Sequence, residues 1–445
     1  MYKKTYNQKK DSDKILKTDA RNMCRLSIIL TTCFLINACD NSDTSVLPDE
    51  ILPDEANDRI SISNNPDVLN ARVSYPDEDI SIENNSPANL RLSPAVHLAS
   101  PVSFKLVARL QPPLVKGQLV QATSVSLTKL GSAAISYNMR GAPRLGAVDW
   151  ISRFITDHPH LTSSISFTDS DINAVNTDGT YIYTAVATDA VDFPFPAVIE
   201  RLKINNLGAT LQGNLRAPLA SFAATSILPV GDIVYATSGN EGAIYAFNTN
   251  NFEPLGEFPL HDARWVALDE DSGRLVVAQG TPGVLSVFEE GAFPGGSMNL
   301  LNTFSFPGAN VAESKTTVEV AGGKAFIAAG PEGVQIMCLD DGSIIGSIPR
   351  PNPASLGLDP SVVVTNAVSV DENLMFISNG EAGIYIARGS ENFTNNNCST
   401  QEITVLGKLR FGGQQSANHV AYKSRYLYVA VGLGGVKMVK VTVTQ

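Results

Sequence analysis

Four groups of residues in this chain have types and spacings that could do chemistry. Acid pairs occur in Asp169-Ser-Asp171-Ile-Asn173, Asp269-Glu-Asp271-Ser-Gly273 and Asp340-Asp341-Gly342. Calcium needs roughly six to eight oxygens from a prescribed loop, and none of these runs continues into the EF-hand pattern with its glycine and distal glutamate. The 169–173 run is the best of them. His158-Pro-His160 could bring two imidazoles to one metal, but no third ligand is identifiable, and five histidines without HExxH do not make a zinc site. His261-Asp262 with Arg264 is the third group. The fourth is Gly380-Glu-Ala-Gly383, whose amides could cradle a phosphate if a helix N-terminus followed. No G-x-S-x-G elbow presents a nucleophilic serine. No catalytic residue, metal or cofactor is expected.

The glycine step decides its own case, because it recurs. DIVYATSGNEGAIYAFN (232–248), GRLVVAQGTPGVLSVFE (273–289), GKAFIAAGPEGVQIMCL (323–339), NLMFISNGEAGIYIARG (373–389) and RYLYVAVGLGGVKMVKV (425–441) align on Gly239, Gly280, Gly330, Gly380 and Gly432. Those glycines lie 41, 50, 50 and 52 residues apart. A strand, not a helix, follows each step, and one phosphate cannot account for five copies. Glycines that permit positive φ in a tight hairpin account for all of them.

Each copy also has a short strand before the hairpin (RWVALDEDSG, TVEVAGG, NAVSVDEN, HVAYKSR) and a Leu/Phe/Pro-rich strand after it (EPLGEFPL, LLNTFSFPG, IIGSIPRP, VLGKLRFGG). Four strands with tight turns at a period of 40 to 50 residues predict four-stranded antiparallel blades. Two fainter copies, 123–154 and 172–204, extend the array to seven; in the second, an insertion containing Pro194 and Pro196 replaces the glycine step. The last copy stops after its third strand, while an orphan strand, SFKLVARLQPP (103–113), precedes the first. The expected fold is therefore all-β: a seven-bladed β-propeller over 101–445, closed by an N-terminal strand that completes the last blade and removes the exposed edge.

Phrases such as GRLVVAQGTPGVLSVFE and KAFIAAGPEGVQIMCL resemble the LVIVD-repeat propellers of bacterial surface and secreted proteins and, more distantly, YVTN-type seven-bladed propellers. The resemblance covers the five clear repeats and implies an architecture; that family has no catalytic pattern to carry over. Trp150 and Trp265 are the only tryptophans, too few for the docking motifs of quinone-dependent propellers, and the Asp-box of sialidases is absent.

Ahead of the repeats, basic residues up to Arg25 precede an apolar run, Leu26 to Ile36, too short to span a bilayer but suited to a signal peptide over 1–38 that starts at Met1 or Met23. Ala38 before Cys39 resembles a lipobox, which implies lipidation of Cys39 and a membrane anchor. From Asp40 to Leu92 there are twelve Asp/Glu and three Arg with little apolar periodicity, so 39–100 reads as a disordered acidic tether. The net charge of -11 and the lack of a downstream basic cluster argue against nucleic acid. Beyond the signal and the anchor only Cys338 and Cys398 remain. They could bridge, but the simpler reading is a buried Cys338 and an exposed Cys398.

In a propeller the connections into each inner strand share a face with the glycine hairpins, around the mouth of the central channel. Polar residues there are the candidate ligand-binding set: Asp171, Asn173, His261, Arg264, Asn366, Asn418 and His419, together with Thr123, Thr225, Lys315 and Thr317. The expected function is a non-enzymatic binding or scaffolding module, lipid-anchored in the bacterial cell envelope, with a protein or glycan partner. The alternative is a lactonase-type hydrolase at the channel mouth, which calls for convergent carboxylates or histidines with perturbed pKa values.

Overall fold

The computed structural model describes residues 53–83, 102–311, 314–400, 402–409, 411 and 415–443. The expected signal peptide over 1–38 and the expected lipidation site Cys39 lie outside the described residues.

Seven antiparallel blades follow one another along the chain. The inner strands are Gln121–Leu127, Ser170–Thr177, Ala224–Val230, Ala263–Asp269, Val318–Ala321, Ala367–Asp371 and His419–Lys423. They open blades 1 to 7 in that order. Both faint repeats are complete blades: the first ends in His160–Phe167 and the second in Gly208–Pro218. Second strands such as Ser132–Asn138, Lys324–Ala328 and Leu374–Ser378 read as near-continuous apolar or small-residue runs because both faces of a blade are covered. Each of the seven core clusters among the described residues lies between two neighbouring blades, for example Phe326 and Val334 of blade 5 against Val368 and Met375 of blade 6.

Closure follows the expected plan. Val102–Leu110 pairs antiparallel with Val436–Val443, Val441 opposite Phe104, and so supplies the outer strand of blade 7. The chain termini of the disk are thereby joined through a shared sheet, which leaves no open end to pair with another molecule.

The acidic tether is where the structure departs from expectation. Residues 53–83 are ordered and run as a belt along the outer strands. Glu55–Ala56 and Ile60–Ser63 extend blade 1, Val73–Ser74 and Glu78–Ile80 pair with the closing strand of blade 7, and Ile82–Glu83 pairs with the outer strand of blade 6. A strand that borrows a neighbouring sheet needs few apolar residues of its own. Ile60, Ile62 and Leu69 are all at or below 1% exposed. The charges are spent locally: Arg72 is buried against Asp149, Arg59 pairs with the buried Glu200 of blade 2, and Glu78 and Asp77 pair with Arg109 and Lys105.

The cysteines are a second correction, since Cys338 and Cys398 form a disulfide with Cα atoms 5.5 Å apart. It fastens the 390–400 segment of blade 6 to the third strand of blade 5. Lys324, itself 1% exposed, holds the same segment by donating to the carbonyls of Gly322, Asn395 and Asn397 at 2.9, 2.5 and 2.9 Å.

Candidate functional site

The channel mouth is built by the residues that lead into the inner strands, and most of the polar ones are turned sideways to the next blade. Thr123 Oγ1 donates to the carbonyl of Ile172 at 3.0 Å, Asn173 Nδ2 to Ala224 at 2.9 Å and Thr225 Oγ1 to Ala263 at 2.8 Å. Arg264 continues the series: its NH1 reaches the carbonyls of Val311 and Ser314 at 3.0 and 2.9 Å, while Asp262 grips the other side of the guanidinium. Asn418 Nδ2 closes the ring from blade 7 to the carbonyl of Ala122 at 3.0 Å. Asn173, Arg264 and Asn418, expected to meet a ligand, are therefore committed to holding blades together.

The glycine hairpins take over where side chains do not. Gly330 bridges to Thr365, Gly380 to Ala417 and Gly432 to Ala122, each an antiparallel backbone contact with the start of the following blade. Gly380 sits at φ 58° and Gly383 at φ 85°, the left-handed region that glycine adopts freely. Positive φ does not explain blade 4, however. Gly280 has no positive φ; a Cβ there would lie 2.0 Å from the Arg264 guanidinium, so this glycine makes room for a side chain. In blades 4 to 7 the step is a seal between blades, by two different means; in blade 3 neither Gly239 nor Gly242 has a positive φ, and the step closes on its own hairpin.

Other candidates fall apart as sites. Asp169 faces Ser170, Asp171 accepts from the Met139 amide at 3.2 Å, and Asn173 points to blade 3, so the 169–173 run does not converge. Burial pushes the Asp171 carboxyl up to about 6. His158 packs edge-on against Tyr75 of the belt at 4.9 Å, and His160 is exposed. His261 is exposed too, with its backbone carbonyl taken by Gln279. Among the described residues, the one group of three potential metal ligands is Cys338, Asp340 and Cys398, where the sulfurs are bonded to each other.

Inside the mouth, three side chains reach across rather than sideways. Lys315, at the start of blade 5, donates from Nζ to the carbonyls of Thr123 in blade 1 and Asn173 in blade 2 at 2.5 and 3.2 Å. Burial pulls its ammonium down to about 7. His419 of blade 7 is 7% exposed and lies against the Trp265 ring of blade 4, centroids 5.4 Å apart. Burial first, and the nearby Lys315 charge second, push the imidazole down to about 3, so it is neutral. Lys315 and Trp265 carried no sequence signal beyond their position. One layer further in, burial lifts the Glu319 carboxyl to about 7, and its partners are the Val370 amide and Ser369 of blade 6. The mouth thus holds a lysine and a histidine with displaced pKa values, whereas Asp171 and Glu319 are each turned to a neighbouring blade.

No family model matches the chain, and no curated protein matches it. Among solved structures, it is similar to the WD40 β-propeller domain of Doa1 (11% identity, TM-score 0.47, 74% of this chain and 96% of that one). It is also similar to the computationally designed Ika8 protein (9%, 0.43, 73% and 98%) and to a chain of a mitotic checkpoint complex (10%, 0.49, 71% and 89%). The LVIVD resemblance rests on the residues alone.

The feature that repeats least is the Pro194 insertion, and it bears exposed apolar residues on the mouth face. Val191 is 100% and Phe195 46% exposed on this loop, and Phe222, on the neighbouring connection into blade 3, is 72% exposed. Arg144 lies over the Phe222 ring at 5.4 Å. Beside them a groove of about 560 Å³ runs between blades 2 and 3, lined by Pro194, Phe195, Leu219, Tyr245, Phe247 and Glu257 among others. Its size is that of an ordinary binding cleft. The insertion is visible in the sequence as a break in the repeat, but nothing there marks these aromatic residues as exposed.

Proposed function

We propose that the protein is a non-enzymatic binding and scaffolding propeller that docks a protein partner through the blade 2 insertion and its groove. The carrying observation is the exposed set Val191, Phe195 and Phe222 beside a groove walled by Pro194, Leu219, Tyr245 and Phe247. Apolar patches next to a cleft mark interaction sites, and aromatic anchors dominate interface energetics. The groove walls offer mostly apolar and aromatic groups, which suits the side chains of a protein better than the hydroxyls of a glycan. The propeller supplies rigidity: seven sealed junctions hold these loops in place.

The proposal places the protein in the bacterial envelope, anchored through a lipidated Cys39 after removal of the signal peptide. The Cys338–Cys398 disulfide supports an oxidising compartment.

The test is the double substitution Phe195→Asp, Phe222→Asp. Both side chains are largely outside the core, so unfolding stability should stay within about 0.5 kcal/mol per site. A protein that copurifies with the full-length wild type from solubilised envelopes should be lost from the variant. Identical recovery from both would contradict the reading.

A further inference from the structure

Lys315 presents a charge problem at the centre of the ring. A lysine ammonium has three donors. Two go to the carbonyls of Thr123 and Asn173, which satisfy hydrogen bonds but supply no negative charge. Among the described residues no carboxylate forms an ion pair with it, whereas Arg72 has Asp149 and Arg264 has Asp262; Lys324 and Lys437 are likewise held by carbonyls, but only Lys315 reaches across to two other blades. Taking an ammonium out of water without a counter-charge is costly, and the side chain answers by losing proton affinity, as its position near 7 records.

Three polar side chains in or next to the inner strands are left unpaired as well. Ser124 lies midway along the inner strand of blade 1, Thr317 directly precedes that of blade 5 and His419 opens that of blade 7; they are 1%, 3% and 7% exposed. Ser124 Oγ, Thr317 Oγ1 and His419 Nδ1 are buried without a hydrogen-bond partner. Buried polar groups are nearly always paired, so each of these calls for an explanation. Asn366, leading into blade 6, adds an unpartnered Oδ1 on an amide that can rotate to offer its NH₂ instead. Trp265, against His419, closes one side with an apolar ring.

Hydroxyls and a neutral imidazole can donate, and Lys315 keeps a third donor. We propose that the central channel binds a small oxyanion, a carboxylate or a phosphate, between Lys315 and the side chains of Ser124, Thr317 and His419. The anion supplies the missing counter-charge and accepts from the unpartnered groups. This site is separate from the blade 2 groove and stands or falls independently of it.

Calorimetric titration of the full chain with inorganic phosphate and, separately, with acetate, at constant ionic strength set by chloride, tests the proposal. Saturable binding of one oxyanion per chain is expected. The tighter of the two identifies the class. Lys315→Met should abolish it, Thr317→Val and Ser124→Ala should each weaken it by about tenfold, and Lys129→Met, at an exposed site, should leave it unchanged. Should Lys315→Met fail to fold, the two hydroxyl variants carry the test. Absence of saturable binding by either anion, or binding that Thr317→Val and Ser124→Ala leave as in the wild type, overturns the site.

Discussion

Replacing Arg72 by alanine is expected to lower the unfolding free energy by about 3–5 kcal/mol, the range for breaking a buried ion pair from one side. Arg72 belongs to the belt, yet its bonds tie two blades at the point where the ring closes. NH1 and NH2 reach Asp149 of blade 1 at 3.1 and 2.6 Å, and Nε and NH2 reach the carbonyl of Gln111, just after the closing strand, at 3.1 and 2.8 Å. NH1 also donates to Ser164 at 3.0 Å. The alanine variant strands a carboxylate that is 0% exposed, and that uncompensated group dominates the loss. Arg109→Ala, which removes an exposed pair with Glu78, should cost no more than about 1 kcal/mol. Denaturant midpoints of the two variants, measured side by side, check this. Equal midpoints would mean that the belt is not integral to the fold.

Removing the disulfide should have the next largest effect. Cys338 and Cys398 close a loop of 60 residues, and cross-links of that length typically contribute about 2–4 kcal/mol. Cys338→Ser with Cys398→Ser should lose that amount. The 390–400 segment should become protease-sensitive first, because without the bridge it is held to blade 5 by Lys324, through the carbonyls of Asn395 and Asn397, and by the buried Phe393 against Phe326. The native protein should show no reactive thiol at either position until a reductant is added. Two thiols titrating in the folded, unreduced protein would contradict the pairing.

The sequence made the propeller legible because its signals repeat. Five glycine hairpins, the missing fourth strand after Val441 and the surplus strand before Thr123 each point to the same closed ring. The belt was not legible, because its composition resembles that of a disordered segment. Ile60 and Ile62 alternate over only four residues, and no local pattern reveals that Arg59 and Arg72 meet Glu200 and Asp149, 141 and 77 positions away. The candidate site was half legible. Position alone identified the mouth residues, but whether a side chain such as Asn173 or Asn418 faces the channel or the next blade depends on register and on bulges. Ladders shift by one residue beside Asn173, Thr225 and Arg264, and all three of these side chains hydrogen-bond to the next blade. Lys315 and His419 differ: they reach across to blades that are not their neighbours, which no local sequence pattern reveals.

The central functional claim is that a protein partner sits on the blade 2 insertion. A photo-crosslinking amino acid placed in the full-length protein at position 222, and in parallel at position 207, tests it most directly. Both positions are highly exposed, at 72% and 83%, but Leu207 lies on the turn between the third and fourth strands of blade 2, on the opposite face of the disk. The account predicts a discrete crosslinked protein from position 222 and none from position 207. Crosslinking from position 207 alone, or none from either in intact cells, would contradict it.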